Sequence, residues 1–311
     1  MASVSPADPP IRVPVQPVHP AYPVGLVLVA VFSVQFGGAS AVVLIGSVGV
    51  LGAVALRLTI AALVMVAATR PRLRGYSRSD WLVVALFGVS LAAMNTAFYG
   101  SIARLPVGVA VTIEFIGPLG LAAALSRRWL DGAAVAIAAA GVVLTSNVLV
   151  EPVAHIDLVG ILLALIAGGC WAAYILLSER TGRRFPGAQG VAWAMVVGAT
   201  IMLPLGLIFH GTALLEPQAL GLGLLIATLS SALPYSLELI SLRHLDPRVF
   251  GILLSLEPAA AALAGFVVLG QLLAPLQVGG MALVVLASAT VTLTQRRRKV
   301  TAPVGEGSPP G

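Results

Sequence analysis

Long apolar runs separated by short polar segments fill the chain from about residue 23 to residue 294. A helical run of about 20 residues matches the roughly 30 Å hydrocarbon layer of a bilayer at 1.5 Å rise per residue. The runs lack the strict alternation over about 10 residues that a membrane β-strand requires. The pattern therefore predicts an all-α integral membrane protein with ten transmembrane helices. The predicted spans are 23–44, 48–69, 81–103, 106–125, 131–149, 158–178, 189–209, 218–241, 247–270 and 276–294.

The two ends of the chain depart from this pattern. Residues 1–22 are rich in proline and have no apolar period, so we expect a disordered cytoplasmic N-terminal tail. Residues 295–311 open on a basic cluster and continue with small and polar residues, so we expect a disordered basic C-terminal tail. Between the tails the spans form two groups of five, 23–149 and 158–294.

Composition agrees with a membrane protein. Hydrophobic residues make up 59% of the chain and charged residues only 10%, with a mean hydropathy of +1.01. A soluble domain carries roughly 25% charged residues, so that class is excluded. The net charge of +6 does not indicate nucleic-acid binding, because the basic residues lie in short clusters between apolar runs.

The basic residues also predict the orientation in the membrane. All of the 18 Lys and Arg residues except Arg57 and Arg104 fall in tails, loops or span ends on one side of the predicted topology. Lysine and arginine accumulate in cytoplasmic loops. Both termini are therefore predicted to be cytoplasmic, which requires an even number of spans.

The two halves of the chain resemble each other. The segment SIARLPVGVAVTIEFIGPLGLAA (101–123) aligns with SLRHLDPRVFGILLSLEPAAAAL (241–263) at a constant offset of 140. Each half has an odd number of spans, so the second half is predicted to enter the membrane inverted. Inverted repeats recur in secondary transporters, which bind substrate near the midplane between the halves. Chance similarity between two leucine- and alanine-rich stretches is the alternative.

Four charged residues lie inside predicted spans, away from the residues that begin or end them: Arg57, Glu114, Glu238 and Glu257. A charge at the bilayer centre costs at least about 2.5–3.5 kcal/mol on insertion scales, so these groups are expected to face the bundle interior or a cavity. Arg57 and Glu114 have opposite charges at similar depth. One hypothesis is that they form an ion pair, which is either purely structural or part of a substrate path.

Two prolines stand close to the carboxylates in the fourth and ninth spans. Pro118 removes the N–H that would bond the carbonyl of Glu114, and Pro258 does the same for Leu254, which aligns with Glu114. Glu257 directly precedes Pro258. A titratable carboxylate beside an unpaired carbonyl suits an ammonium group or a carried proton. The alternative is that each proline only kinks its helix.

Other polar side chains within spans complete the candidate site. Glu238 is either a site residue or reaches out to the interface. Trp171 and Tyr174 either line a cavity or pack against neighbouring helices. The candidate substrate-binding or proton-coupling residues are Arg57, Glu114, Glu257, Asn95, Tyr235, Glu238, Pro118 and Pro258.

The sequence gives no support for an enzyme or for a cofactor. The single cysteine, Cys170, lies in an apolar run, so thiols cannot form a metal site. Neither a zinc-protease motif nor an intramembrane Ser–His pair is present. The histidines, which lie in tails or loops, are His19, His155, His210 and His244.

Four motifs carry a resemblance to a known family: VALRLTIAAL, VAVTIEFIGPLG, SALPYSLELISLRHL and RVFGILLSLEPAAAALAGFVVLGQ. Over 23–294 the chain resembles ten-helix EamA-type members of the drug/metabolite transporter superfamily, and is similar to inner-membrane threonine and homoserine exporters. One departure is Gln271, where many relatives carry an acidic residue. The resemblance implies export of small amino acids or related metabolites across the bacterial inner membrane, driven by the proton gradient.

These observations predict a secondary active transporter that works by alternating access, with a small-molecule substrate and protons as partners in the lipid bilayer. Arg57 would hold a substrate carboxylate or set the charge of Glu114. Glu114 would bind the substrate ammonium or exchange it for a proton, and Glu257 is the second candidate for the proton. A passive channel or a lipid flippase is the alternative.

The oligomeric state, monomer or homodimer, is left open. Small residues in the spans permit close helix packing either within one chain or between two. The glycines concerned are Gly37, Gly38, Gly168 and Gly169.

Overall fold

The computed structural model of the protein describes residues 21–125, 129–145, 157–234, 237, 241 and 253–300, and this part is all helix, turn and loop. The α-helices are α1 (Ala21–Thr69), α2 (Arg78–Ile102), α3 (Val107–Glu114), α4 (Ile116–Leu125), α5 (Trp129–Thr145), α6 (Leu158–Gly182), α7 (Gln189–His210), α8 (Pro217–Ala227), α9 (Glu257–Leu269) and α10 (Pro275–Val300). A short 3-10 helix, Gly211–Leu215, follows α7, and a π-helical turn, Thr228–Ala232, follows α8.

Length and composition allow four helices of this described part to cross a membrane, and five shorter apolar helices accompany them. Among the described residues three predicted spans are interrupted: the fourth is divided into α3 and α4, the eighth into α8 and the π-helical turn, and the ninth by a turn before α9. The all-α architecture is confirmed for the described residues, while the count of ten spans stays a prediction. The four long helices are Ala21–Thr69, Arg78–Ile102, Leu158–Gly182 and Gln189–Leu215.

The predicted tails are described only at their inner ends. Residues 1–20 and 301–311 lie outside the described part of the chain. At the N-terminal side α1 begins at Ala21. At the C-terminal side α10 continues to Val300, so the basic cluster that opens the predicted tail extends the last helix.

The first helix reverses its direction at Gly49, where φ is 63° and ψ is 176°. Gln35 and Arg57 lie on opposite sides of this break and line the same cavity. In a straight helix they would be about 33 Å apart at 1.5 Å per residue. The positive φ favours glycine, and the His210 imidazole fills the place where a side chain at 49 would stand. The two arms of α1, 21–48 and 50–69, correspond to the first two predicted spans.

An ion pair joins α2 and α6 at each of their ends. At one end Arg184 Nη1 lies 2.7 Å from Asp80 Oδ1. At the other end Arg104 Nη1 lies 3.0 Å from Asp157 Oδ2. The two helices therefore run antiparallel. Because α2 lies in the first predicted group of spans and α6 in the second, the pair ties the two halves together.

An aromatic cluster strengthens the end that carries Asp80. The rings of Tyr76 and Phe185 stack with centroids 4.2 Å apart, and those of Trp81 and Trp193 meet edge to face at 5.4 Å. The Tyr76 hydroxyl donates a hydrogen bond to Gln189 Oε1 at 3.2 Å. The loop between α1 and α2 is thus packed on the loop between α6 and α7.

Glycines set the spacing in two further helix pairs. A Cβ on Gly141 of α5 would lie 2.6 Å from the carbonyl oxygen of Gly280 in α10. A Cβ on Gly108 of α3 would lie 2.9 Å from the Cα of Ala262 in α9. Small residues let membrane helices approach to backbone contact, where van der Waals packing stabilises the pair.

Two helix interruptions occur at equivalent places in the two halves. A turn at Phe115 separates α3 from α4, and a turn at Ser255 and Leu256 precedes α9. At the offset of 140, Phe115 aligns with Ser255. Each interruption lies just before a proline, Pro118 or Pro258, which stands in the first turn of the next helix. Proline is tolerated there because the N–H groups of a helix's first turn have no carbonyl partner within that same helix.

Candidate functional site

A cavity of about 450 Å³ lies among the two arms of α1, α2, the α3–α4 junction, α6, the π-helical turn and α9. Apolar and aromatic side chains such as Leu91, Phe98 and Trp171 form much of its wall. Small-ligand sites typically measure about 300–1,000 Å³ and combine apolar walls with a few polar groups. The cavity is therefore of a size for a small metabolite.

Most of the predicted site residues meet at this cavity. Pro258 is buried in the first turn of α9, next to a lining residue. Tyr235 and Glu238 lie outside the described residues. The predicted residues that line the cavity are Arg57, Asn95, Glu114, Pro118 and Glu257.

Arg57 is held by Tyr99. Its Nη1 donates a hydrogen bond to the Tyr99 hydroxyl at 3.3 Å, and its Cζ lies 5.4 Å from the ring centroid. Tyr99 is fully buried, so its ring fixes the position of the guanidinium. The hypothesis of a direct ion pair between Arg57 and Glu114 is not met, since no salt bridge joins these two described side chains. Arg57 contacts the phenol instead, and both charged groups border the cavity.

Glu114 is the last residue of α3 and is only 8% exposed. Among the described residues, none donates a hydrogen bond to its carboxylate. Because Pro118 has no N–H, the Glu114 carbonyl has no hydrogen-bond donor four residues later in the chain. The same carbonyl lies against α6, since a Cβ on Gly168 would be 2.5 Å from its oxygen. The helix interruption thus places the Glu114 carboxylate at the cavity wall, next to a backbone carbonyl that lacks its usual helical donor.

Two amides add neutral polar groups to the wall. Asn95 is 2% exposed, and its Nδ2 donates a hydrogen bond to the Leu91 carbonyl at 2.8 Å. Its Oδ1 accepts none from another described residue. Gln35, on the first arm of α1, is also buried and lines the cavity. Both amides can serve as hydrogen-bond partners of a bound molecule.

The π-helical turn has an unusual pattern of backbone hydrogen bonds. Leu233 N donates to the Thr228 carbonyl, five residues earlier. The same pattern would pair the Leu229 carbonyl with residue 234, which is a proline and has no N–H. The Ser33 hydroxyl donates to that carbonyl instead, at 2.7 Å. The Ser33 side chain therefore joins the π-helical turn after α8 to the first arm of α1. Such turns occur frequently at functional sites.

Sequence reasoning gave too little weight to three lining residues. Ser230 and Ser231 line the cavity from the π-helical turn, and the proline that follows them was the available signal. Ser288 lines it from α10, where nothing in the surrounding apolar run marked it. Trp171 and Tyr174 line the cavity, one of the two readings that the sequence left open.

Apolar helices around a cavity lined by one arginine and two glutamates define a multi-pass membrane protein of the transporter class. Charged groups within membrane-spanning segments are typical of substrate and ion pathways. In the part of the chain that the structure describes, no group of three or more His, Cys, Asp or Glu residues could hold a metal ion.

Comparison with known proteins agrees with this class. The EamA-like transporter family matches residues 158–293. The threonine/homoserine exporter RhtA of Escherichia coli (strain K12) is 42% identical over 275 residues, which cover 88% of this chain and 92% of the relative. RhtA of Salmonella typhimurium (strain LT2) is 41% identical over the same shares. The chain belongs to the EamA-like transporter family and is a bacterial multi-pass membrane transporter, not an enzyme.

A more distant relative and a solved structure complete the comparison. The uncharacterized transporter YwfM of Bacillus subtilis (strain 168) is 28% identical over 70% of this chain and 76% of its own length. A crystal structure of a protein with 20% identity superposes with a TM-score of 0.59 and covers 89% of this chain and 99% of that chain. At this identity the likeness shows the fold alone.

Proposed function

We propose that the protein is a secondary active transporter that exports small amino acids of the threonine and homoserine kind across the bacterial inner membrane. One observation carries the proposal: Arg57 and Glu114 border the same cavity and form no salt bridge with each other. A free amino acid carries a carboxylate and an ammonium group, and these two side chains have the complementary charges. The names of relatives that are 41–42% identical support the substrate class.

The roles of the charged residues follow from this assignment. The Arg57 guanidinium binds the substrate carboxylate, because its planar donors suit carboxylate geometry and Tyr99 holds it in place. Glu114 binds the ammonium group or, after substrate release, a proton. Glu257, at the start of α9, is the second candidate for the proton. Tyr235 and Glu238 remain candidates from the sequence alone.

We also propose that the chain forms two inverted repeats of five spans, with both termini in the cytoplasm and alternating access between them. Equivalent predicted spans of the two halves pack together: α3, in the fourth span, contacts α9 in the ninth, and α5, in the fifth span, contacts α10 in the tenth. The equivalent interruptions before Pro118 and Pro258, together with the distribution of basic residues, support the same arrangement.

The proposal is tested with inside-out membrane vesicles that contain the protein. Uptake of labelled threonine and homoserine is measured with and without an acidic vesicle interior, for the wild type and for Glu114→Gln. Glu216→Gln is the matched control, because Glu216 is exposed in a loop outside the cavity. We expect accumulation against a gradient that depends on the pH difference, is abolished by Glu114→Gln and survives Glu216→Gln.

Each departure from this result has a definite meaning. Accumulation that survives Glu114→Gln would transfer the proton to another carboxylate, with Glu257 the first to test. Uptake that only equilibrates would identify a passive channel. Failure to take up either amino acid would overturn the substrate assignment, and lipid translocation would then be the next assay.

A further inference from the structure

The two serines of the π-helical turn form no side-chain hydrogen bond within the described part of the chain. Ser230 is 7% exposed, and its Oγ has no hydrogen-bond partner. Ser231 is 4% exposed and forms no hydrogen bond with another described residue. Both line the cavity. Buried hydroxyls without partners are rare in folded proteins because their desolvation is unfavourable, so the enclosed hydroxyl of Ser230 requires an explanation.

Other hydroxyls in the helices show what is missing here. Ser40 donates to the Phe36 carbonyl at 2.8 Å, and Thr96 donates to the Ala92 carbonyl at 2.7 Å. In both cases the partner is the carbonyl four residues earlier, which a regular helix presents to the side chain. The extra residue of the π-helical turn disturbs that spacing. Within the described part of the chain, neither Ser230 nor Ser231 donates a hydrogen bond to such a carbonyl.

Packing prevents the turn from relaxing to satisfy these hydroxyls. Gly37, on the first arm of α1, lies directly against the Ser230 Oγ, and a side chain there would overlap it. The hydrogen bond from Ser33 to the Leu229 carbonyl fixes the same stretch of backbone. Ser230 is thus held beside the cavity by contacts that give its hydroxyl no hydrogen-bond partner among the described residues.

We propose that Ser230 and Ser231 form the subsite that binds the side-chain hydroxyl of the transported amino acid. The inference rests on the proposed function, in which Arg57 and Glu114 bind the carboxylate and the ammonium group. A substrate hydroxyl can donate one hydrogen bond and accept others, and each serine can do the same. Threonine and homoserine both carry a hydroxyl on a short side chain, so one pair of adaptable hydroxyls can serve both.

The proposal predicts selectivity between molecules of the same shape. Valine replaces the hydroxyl of threonine by a methyl group, and norvaline does the same for homoserine. A site built to bond a hydroxyl disfavours such an analogue, because its own polar groups then stay unpaired. We expect the wild type to prefer threonine over valine by about tenfold or more in initial uptake at low concentration.

The test is a Ser230→Ala, Ser231→Ala double variant assayed with threonine, valine, homoserine and norvaline in inside-out vesicles. We expect the preference for each hydroxylated member of a pair to fall by about tenfold, while uptake of valine and norvaline is retained. Ser90→Ala is the control. Ser90 is also buried, but its hydroxyl donates to the Cys170 carbonyl at 3.0 Å, and it does not line the cavity.

The possible results separate this inference from the proposed function. An unchanged threonine-to-valine ratio in the double variant would overturn the subsite and leave the exporter standing. Equal loss of all four substrates would also overturn it, since the serines would then support the fold or the transport cycle. A wild type that transports none of them would overturn both proposals. If the double variant does not reach the membrane, Ser231→Ala alone provides the same comparison.

Discussion

The backbone of Gly117 in α4 lies directly against the backbone of Gly168 in α6, so that a Cβ on Gly117 would overlap the neighbouring helix. A Cβ on Gly168 would in turn lie 2.5 Å from the carbonyl oxygen of Glu114. Two residues without side chains therefore set how closely α6 approaches the carboxylate-bearing helix break. The position of Glu114 at the cavity depends on this contact.

We expect Gly168→Ala to lower the melting temperature of the purified protein and to reduce transport. The new methyl group meets backbone atoms, which cannot rotate away, so α4 and α6 must separate. Overpacking of this kind costs about 1–3 kcal/mol. The measurement is thermal unfolding in detergent, followed by vesicle uptake.

Neighbouring glycines provide matched controls for this prediction. Gly169 and Gly120 lie in the same two helices, and a Cβ on either would meet nothing within 4 Å. Alanine is favoured over glycine in a helix by about 1 kcal/mol, so these substitutions are expected to be neutral or stabilising. If Gly168→Ala unfolds at the same temperature as Gly169→Ala, the close approach of α6 is contradicted.

Tyr99 positions Arg57 in two ways that substitution can separate. Tyr99→Phe removes the hydroxyl that accepts the Arg57 hydrogen bond and keeps the ring under the guanidinium. We expect KM for threonine to rise about fivefold, corresponding to about 1 kcal/mol, with little change in the maximal rate or the melting temperature. Tyr99→Leu also removes the ring and is expected to raise KM further. A fall in the maximal rate alone would argue against a role in substrate binding.

The hydrogen bonds of the Asp157 carboxylate, which lies outside the membrane-spanning part, are expected to stabilise the fold in an acid-sensitive way. The backbone N–H of Gly160 donates to its Oδ1 at 2.8 Å and Arg104 to its Oδ2 at 3.0 Å; these bonds hold the pKa of the carboxyl below its ordinary value. Stabilisation from a depressed pKa is present above the unfolded value of about 3.9 and is lost as the pH falls through the folded value.

The corresponding variant is Asp157→Asn, which keeps a capping oxygen and removes the charge. We expect it to be less stable than the wild type at pH 6 by the roughly 0–1 kcal/mol of an exposed ion pair, and the difference in stability to shrink as the pH falls below the ordinary carboxyl pKa. Asp157→Ala also loses the cap and should be less stable at both pH values. A difference for Asp157→Asn that persisted unchanged at pH 3 would exclude the charge as its cause.

Gln271, which follows the end of α9, forms a hydrogen bond with the first residue of α3. Its Oε1 accepts a hydrogen bond from Val107 N, the first residue of α3, at 3.0 Å. Gln271→Glu would place a carboxylate at this helix N-terminus, where negative charge is favourable by about 0.3–1 kcal/mol. We therefore expect Gln271→Glu to raise the melting temperature at pH 7 and Gln271→Leu to lower it. The reverse order would contradict the contact.

The sequence predicted which ionisable residues border the cavity better than it predicted their partners. Charge at membrane depth and the proline positions follow from counting along the chain, and they identified Arg57, Glu114 and Glu257. The contact of Arg57 with Tyr99 depends on how α1 and α2 are rotated against each other, which a one-dimensional pattern does not contain. The π-helical turn was missed for a related reason, since it is stabilised by Ser33 from a distant helix.

The ion pairs at the two ends of α2 and α6 have a consequence for how the transporter could open. A movement that preserves both the Arg184–Asp80 and the Arg104–Asp157 ion pairs must move α2 and α6 together as one rigid body. One of these helices comes from each half of the sequence. The boundary between the moving parts would then differ from the boundary between the two halves of the sequence. The part that contains α2 and α6 would include helices from both halves.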